Sequence, residues 1–264
     1  MGDKELREYL EVTSYGEAAQ WVYQQATDAG EWGDRRILTL TELRQIHRLV
    51  VEAVWAHTPP EELHPAEGPG AFRHHEIAAF PGGMKPPAFV TVPALLDDWL
   101  GFVANGPERE QHLMEHLAHV HARFEAIHPF RDGNGRSGRL VLNLLLVRRG
   151  YPPAIIYNRD RTKYIDALIQ ADRRGNIGPL AALIARSVKD GIDRFLLPAL
   201  AGPQRMVPLS ALVRHDLSAP AMRLAAERGR LRAQRQGTRW YSTRSWVDEY
   251  IASRYERRGT RGEA

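Results

Sequence analysis

The segment His128-Pro129-Phe130-Arg131-Asp132-Gly133-Asn134-Gly135-Arg136-Ser137-Gly138-Arg139 is where this chain could do chemistry. Gly133, Gly135 and Gly138 let a backbone approach a ligand closely and take conformations closed to other residues. They lead into a helix start, where free N–H groups and the helix dipole attract an anion. Arg136 and Arg139, three apart, can face the same helix end, and guanidinium forks suit phosphate oxygens. Asp132 is a hard-oxygen ligand for a Mg²⁺ that escorts phosphates. His128 is a candidate general base, since an ordinary imidazole titrates near neutrality. Together these residues describe a site for chemistry on a nucleoside triphosphate. The GxxxxGK[ST] spacing of a P-loop is absent, and no strand precedes the glycines as a dinucleotide-binding fingerprint requires.

The same twelve residues match, at every defined position, the pattern His-Pro-Phe-x-Asp/Glu-Gly-Asn-Gly/Lys-x-x-x-Arg. The chain therefore resembles the Fic (filamentation induced by cAMP) family of protein adenylyltransferases. Gly70-Ala71-Phe72-Arg73, the segment after it with Pro86-Pro87, and Tyr164 to Ala171 are similar to further parts of that family, so the resemblance covers residues 10–195. It implies a mainly α fold, a helical bundle with a β-hairpin flap, and transfer of AMP from ATP to a Ser, Thr or Tyr hydroxyl of a protein, the chain itself included, with release of pyrophosphate. In that frame His128 deprotonates the target hydroxyl and Asp132 holds Mg²⁺ on the α- and β-phosphates. Asn134, Gly135 and Arg136 form an anion hole, Gly133, Ser137 and Gly138 complete the phosphate loop, and Arg139 binds the distal phosphates. Ile77, Ala78, Ala79 and Phe80 of the flap lie beside the nucleotide, and the flap edge aligns the target by strand addition. Tyr164 and Asp172 line the adenosine pocket. A second Tyr frequent in the family is replaced here by Ile165. Gly135, where a phosphorylating subset has Lys, favours AMP transfer; another phosphate-containing group, such as one from a phosphocholine donor, is the alternative within the family.

Many relatives are switched off by a Ser/Thr-x-x-x-Glu-Gly/Asn helix whose Glu pairs with the second arginine. Thr13 to Ala18 places Glu17 in that role but departs from the pattern at Ala18. In the competing register, Glu11 to Ala18 is the helix that follows the inhibitory one. Glu17 is then an ordinary first-turn acid, the chain begins too late to hold the inhibitor, and a separate inhibitory chain would supply it.

These residues must be positioned by helices. Apolar spacing predicts helices over Glu17–Ala29, from Thr41 (N-cap; Leu43, Ile46, Leu49, Val50 and Val54 inward), Val92–Val103, Glu108–Ala126, Arg139–Arg149, Arg161–Ala171 and Ile177–Leu197. Arg139–Arg149 is apolar nearly all round, which places it at the centre of a bundle. His74–Phe80 and Phe89–Val92, about a Pro81-Gly82-Gly83 turn, read as the one hairpin of this part. His112-Leu113-Met114-Glu115-His116 matches the HxxEH zinc-protease pattern but lacks a downstream Glu ligand. His121 is expected to pack beneath the glycine loop, and His74-His75 to face solvent.

Pro198–Pro208 reads as a linker between a catalytic domain at 1–200 and a small domain at 207–258. The small domain is expected as helix, Leu217-Ser218-Ala219-Pro220 turn, second helix Ala221–Arg228, a basic hairpin at Gly237–Tyr241 and a closing helix from Thr243. That order resembles an excisionase/MerR-like winged helix-turn-helix, which implies DNA contact through Arg223, Arg228, Arg230, Arg232, Arg235 and Arg239. Charge agrees: residues 203–264 carry 13 Arg and no Lys against 6 Asp/Glu, while the rest is slightly acidic and the whole is +4. A second functional class is thus a DNA-binding regulator whose nucleotide-binding core only senses.

The 264 residues suffice for a core without staples. With no Cys, disulfide scaffolds, Cys-ligated zinc and Cys nucleophiles are excluded. No run of ~18 apolar residues predicts a membrane span. The start, Met1 to Leu6, is charged and carries neither a secretion nor a myristoylation signal, so a cytoplasmic protein is expected. The partners implied are ATP with Mg²⁺, a hydroxyl-bearing protein target, DNA, a separate inhibitory chain and a second copy of the chain as a homodimer.

Overall fold

A computed structural model describes residues 2–28, 36–80, 84–197, 202–214 and 217–259. Two compact units divide the chain, Met1–Val188 and Lys189–Ala264. No described helix is long and apolar enough to cross a membrane.

The first unit is built from α1 (Asp3–Thr27), α2 (Leu40–His57), α3 (Val92–Asn105), α4 (Leu113–Ile127), α5 (Asn134–Arg148), α6 (Arg161–Arg174) and most of α7 (Gly178–Gly191). α5 is the central helix. Leu140, Val141, Leu142, Leu144, Leu145 and Leu146 are all buried, and α1, α2 and α4 pack around it, with α3 and α6 on α4. α2 begins with a capping box: Thr39 Oγ1 accepts from the Glu42 N–H and Glu42 Oε2 accepts from the Thr39 N–H.

The structure corrects several expectations. α1 starts fourteen residues before Glu17, because its first half is a charged surface stretch held by Lys4–Glu8 and Arg7–Glu11 pairs rather than by an apolar stripe. The hairpin expected at 74–92 is not a ladder. Residues 74–80 form no strand and bend at His75, and Phe89–Thr91 is a 3-10 turn feeding α3. Pro86 and Pro87 have no N–H to give a ladder, and Pro93 in the first turn of α3 draws Val90-Thr91-Val92 into helix. One bond, Phe80 N–H to the Met84 carbonyl at 2.8 Å, closes the described part of the flap. The Pro81–Gly83 turn lies outside the described residues.

In the second unit the described sheet has β1 (Val207–Pro208), β2 (Gln234–Gln236) and β3 (Arg239–Ser242) in the antiparallel order β1-β3-β2. The first helix expected there is a single 3-10 turn, Leu209–Leu212, between Pro208 and the tight Arg214–Leu217 bridge. α8 (Ala219–Glu227) is capped by Ser218 with Pro220 in its first turn, and α9 (Arg244–Gly259) closes the unit. Leu209, Leu212, Leu217, Met222, Leu231 and Val247 form its core. Upstream, the expected helix to Leu197 divides into α7 and a π-helical turn, Ile192–Leu196.

Candidate active site

The glycine loop joins the end of α4 to the start of α5. His128 caps α4 in the left-handed conformation, φ 49° and ψ 61°, which costs a non-glycine residue energy and is kept only where the surroundings fix it. The fixing groups are visible. Its N–H donates to the Phe124 carbonyl at 3.0 Å, and Arg73 Nε donates to its carbonyl at 2.9 Å. Its ring Nδ1 lies 3.2 Å from the Glu125 carbonyl, an acceptor only, so Nδ1 carries the proton and Nε2 keeps a free lone pair. Burial is the main cause that lowers His128 to a pKa of about 4. The ring is therefore neutral at pH 7, and the Phe80 ring of the flap lies 4.8 Å from it.

Gly133 is the N-cap of α5, at φ 78°. A Cβ there would come within 2.8 Å of Val51 Cγ1, so glycine is required by both conformation and space. Ser137 N–H is the first to find an intrahelical acceptor, the Gly133 carbonyl at 2.9 Å. The N–H groups of Asn134, Gly135 and Arg136 are thus the first-turn donors of α5 with no intrahelical partner. Asn134's side chain does not face a ligand: Oδ1 accepts from the Phe130 N–H and Nδ2 donates to the Phe130 carbonyl, bracing the loop. Arg139 lies over this helix end, since a Cβ on Gly135 would be 3.3 Å from its Nη1. Asp132 is half-exposed. Oδ1 accepts from the Gly133 N–H at 2.6 Å and Oδ2 lies 3.4 Å from Arg136 Nη2.

Three predicted positions sit elsewhere than expected. Ser137 is wholly buried, and Gly138 packs on α4, where a Cβ would meet Glu125 Oε1 at 2.5 Å. Both serve packing rather than phosphate contact. Tyr164 is buried too, its hydroxyl 2.8 Å from His121 Nε2 and coupled to Arg139 and Glu125. Its hydroxyl is thus engaged with His121, Glu125 and Arg139 in the interior. Asp172 does line a groove, of about 270 Å³, with Met84, Ala122, Ala126, Leu168 and Ala171. Ile77 and Phe80 are half-buried, and Ala78 and Ala79 are exposed. Glu17 is exposed in the middle of α1, not in its first turn, and Tyr15 of the same helix interacts electrostatically with Arg139.

Several positioning residues escape the sequence reading. His47 on α2 is buried and stacks on Phe130 at 3.8 Å. Its Nδ1 accepts from the Gly70 N–H at 2.9 Å, so Nε2–H donates to the Asp132 carbonyl at 3.0 Å. Its signal was a polar residue on the apolar face between Leu43 and Val50. Glu125, raised to about 7 by burial, had no such signal. His121 packs beneath the loop as expected, while His112 caps α4 and His116 is buried against Phe102 at 4.7 Å. His74 is exposed, but His75 turns back to Glu67, 2.5 Å away.

Residues 37–146 match the Fic/DOC family. The chain is 32% identical over 193 residues to "Protein adenylyltransferase Fic" of Culex quinquefasciatus, covering 73% of this chain and 35% of that protein. It is 33% identical over 196 residues to the protein of the same name in Nematostella vectensis, covering 73% and 41%. The chain thus spans well under half the length of these curated relatives. A Fic domain containing signaling protein from Bacteroides thetaiotaomicron has a similar fold, with a TM-score of 0.56 at 22% identity over 71% of this chain and 72% of its own. So does a Fic family protein from Desulfovibrio desulfuricans G20, at 0.51 and 22% over 87% and 74%.

Proposed function

We propose that residues 1–200 form a protein adenylyltransferase acting with ATP and Mg²⁺ on a hydroxyl-bearing protein target. The observation that carries this reading is an imidazole whose Nδ1 is committed to the Glu125 carbonyl, leaving Nε2 as the acceptor, on the same loop as three first-turn N–H groups without an intrahelical partner. The target hydroxyl gives its proton to His128 Nε2 as its oxygen bonds to the α-phosphorus. The bond from the α-phosphorus to the oxygen bridging to the β-phosphate breaks, and pyrophosphate leaves. The N–H groups of Asn134, Gly135 and Arg136 face the oxygens where charge gathers, and Arg139 holds the distal phosphates. Asp132 fits Mg²⁺, because a single half-exposed carboxylate plus substrate phosphates is a usual Mg²⁺ environment; bound there, the ion neutralises phosphate charge. The groove by Asp172 takes the nucleoside, with the carboxylate facing exocyclic N–H donors. The names of the relatives support the same reaction.

Incubating the chain with labelled ATP and Mg²⁺, followed by mass spectrometry of modified protein, tests the reading. Covalent AMP is the expected product. A different phosphate-bearing group would change the donor, and no transfer to any acceptor would leave a nucleotide-sensing core.

We further propose that residues 207–258, with a 3-10 turn in place of the expected first helix, form a winged helix-turn-helix-like unit that binds DNA. Arg223, Arg228, Arg230, Arg232, Arg235 and Arg239 are all exposed on this unit. Duplex affinity is expected to fall steeply as salt rises from 50 to 200 mM, by about 10³-fold if six phosphates are contacted. Binding insensitive to salt, or absent, would reject this assignment.

A further inference from the structure

Glu67 is a buried carboxylate with no part in the chemistry above. Its side chain is 1% exposed, and four donors converge on it. Oε1 accepts from the His74 N–H at 2.6 Å and lies 2.5 Å from His75 Nδ1. Oε2 accepts from the His64 N–H at 3.3 Å and from Arg131 Nη1 at 3.2 Å. Burial alone would raise its pKa, but the hydrogen bonds from His74, His75 and His64 outweigh it and lower Glu67 to about 2.

Arg131 occupies one of the unspecified positions of the His128–Arg139 pattern and has no role in the loop chemistry above. Its guanidinium turns away from the helix N-terminus: Nη1 goes to Glu67 and Nη2 to the Glu61 carbonyl. The loop carrying the base is thereby fastened to the segment that leads into the flap. Arg73 makes a matching tie, with Nη1 on the His75 carbonyl, Nη2 on the Pro87 carbonyl and Nε on the His128 carbonyl. The described part of the flap has no strand ladder, so these side chains, with the Arg73 N–H on the Pro129 carbonyl, are what tie it to the loop.

We infer that Glu67 and Arg131 are positioning residues that set the flap against the glycine loop and so govern how the protein target, rather than the nucleotide, meets His128. This rests on the AMP-transfer reading for its effect on rate, but not for its effect on the flap.

The test uses the full chain carrying Arg131→Ala or Arg131→Lys. Hydrogen–deuterium exchange reports on residues 74–80 and 84–88, with α5 as the internal control for folding. ATP–Mg²⁺ affinity is measured on chains that also carry His128→Ala, so that nucleotide is not consumed. In Arg131→Ala, flap amides are expected to exchange about tenfold faster while α5 is unchanged. ATP affinity should stay within about twofold, and AMP transfer should fall by on the order of 10²-fold, as a misplaced acceptor does. Arg131→Lys keeps a charge for Glu67 and is expected to restore most of both effects. Unchanged flap exchange, ATP affinity falling in step with transfer, or no rescue by lysine would each overturn the inference. A chain that transfers nothing at all would defeat the adenylyltransferase reading, while the exchange data would still decide the latch.

Discussion

Replacing His128 with alanine is expected to cut AMP transfer by about 10²–10⁴-fold, the usual worth of a positioned base. ATP affinity should stay nearly unchanged, because the phosphate-facing groups lie on α5 and none is braced by the imidazole. The size of the effect follows from how completely the ring is prepared. Its backbone sits in a strained left-handed conformation held by Arg73, and its Nδ1 proton is committed to the Glu125 carbonyl. Burial keeps it unprotonated down to a pKa of about 4. A base works in its deprotonated form, so in the free chain His128 is already competent at pH 6–8 and is lost only as pH falls toward 4. The incoming triphosphate is anionic and favours the imidazolium, which raises the basicity of the ring when it is needed. Single-turnover transfer and equilibrium ATP binding on the same variant check both halves. Wild-type transfer by the alanine variant would remove His128 from the mechanism.

The second large effect concerns stability. Glu42 is wholly buried and Arg148 nearly so; Glu42 Oε1 is 2.5 Å from Arg148 Nη2, and Oε2 is 3.2 Å from Nη1. Arg148 also donates to the Gln25 and Ile37 carbonyls, so one guanidinium joins α1, the approach to α2 and the end of α5. Glu42→Ala leaves that buried charge without its counter-charge and breaks the capping box. A loss of about 3–5 kcal/mol is expected in urea denaturation followed by helical circular dichroism. Removing both charges together, as Glu42→Met with Arg148→Leu, should cost much less than Glu42→Ala, because an apolar pair needs no counter-ion. Equal losses in the two variants would show that the capping contacts, and not the buried charge, carry the effect.

The glycine loop was readable because its chemistry demands particular residue types at consecutive positions. Helices α2 to α6 were readable because their apolar stripes are local. Contacts closed over long sequence separations were not. His47 reads as one more residue on the inner face of α2, and nothing near it in sequence announces its bond to Asp132. Tyr164 has the residue type for a base pocket, yet its hydroxyl is taken by His121, 43 residues upstream. Val90-Thr91-Val92 reads as strand by β-branching, and Pro93 overrides it by supplying a helix start. The outer half of α1 lacked the apolar period that marks a helix, because charged pairs stabilise it there instead.

The twelve residues of the glycine loop are not a portable cassette. The Asp132 carbonyl is held by His47, the His128 carbonyl by Arg73 and the Arg131 guanidinium by Glu67, while Gly133 is moulded against Val51. Each of those four partners lies upstream, between residues 47 and 73. Grafted onto another helix pair, the loop would bring its ligands and lose its geometry. The heritable unit of this site is therefore the stretch from α2 through the first turn of α5, and a chain with an intact loop but a substituted α2 face would keep the signature without the shape.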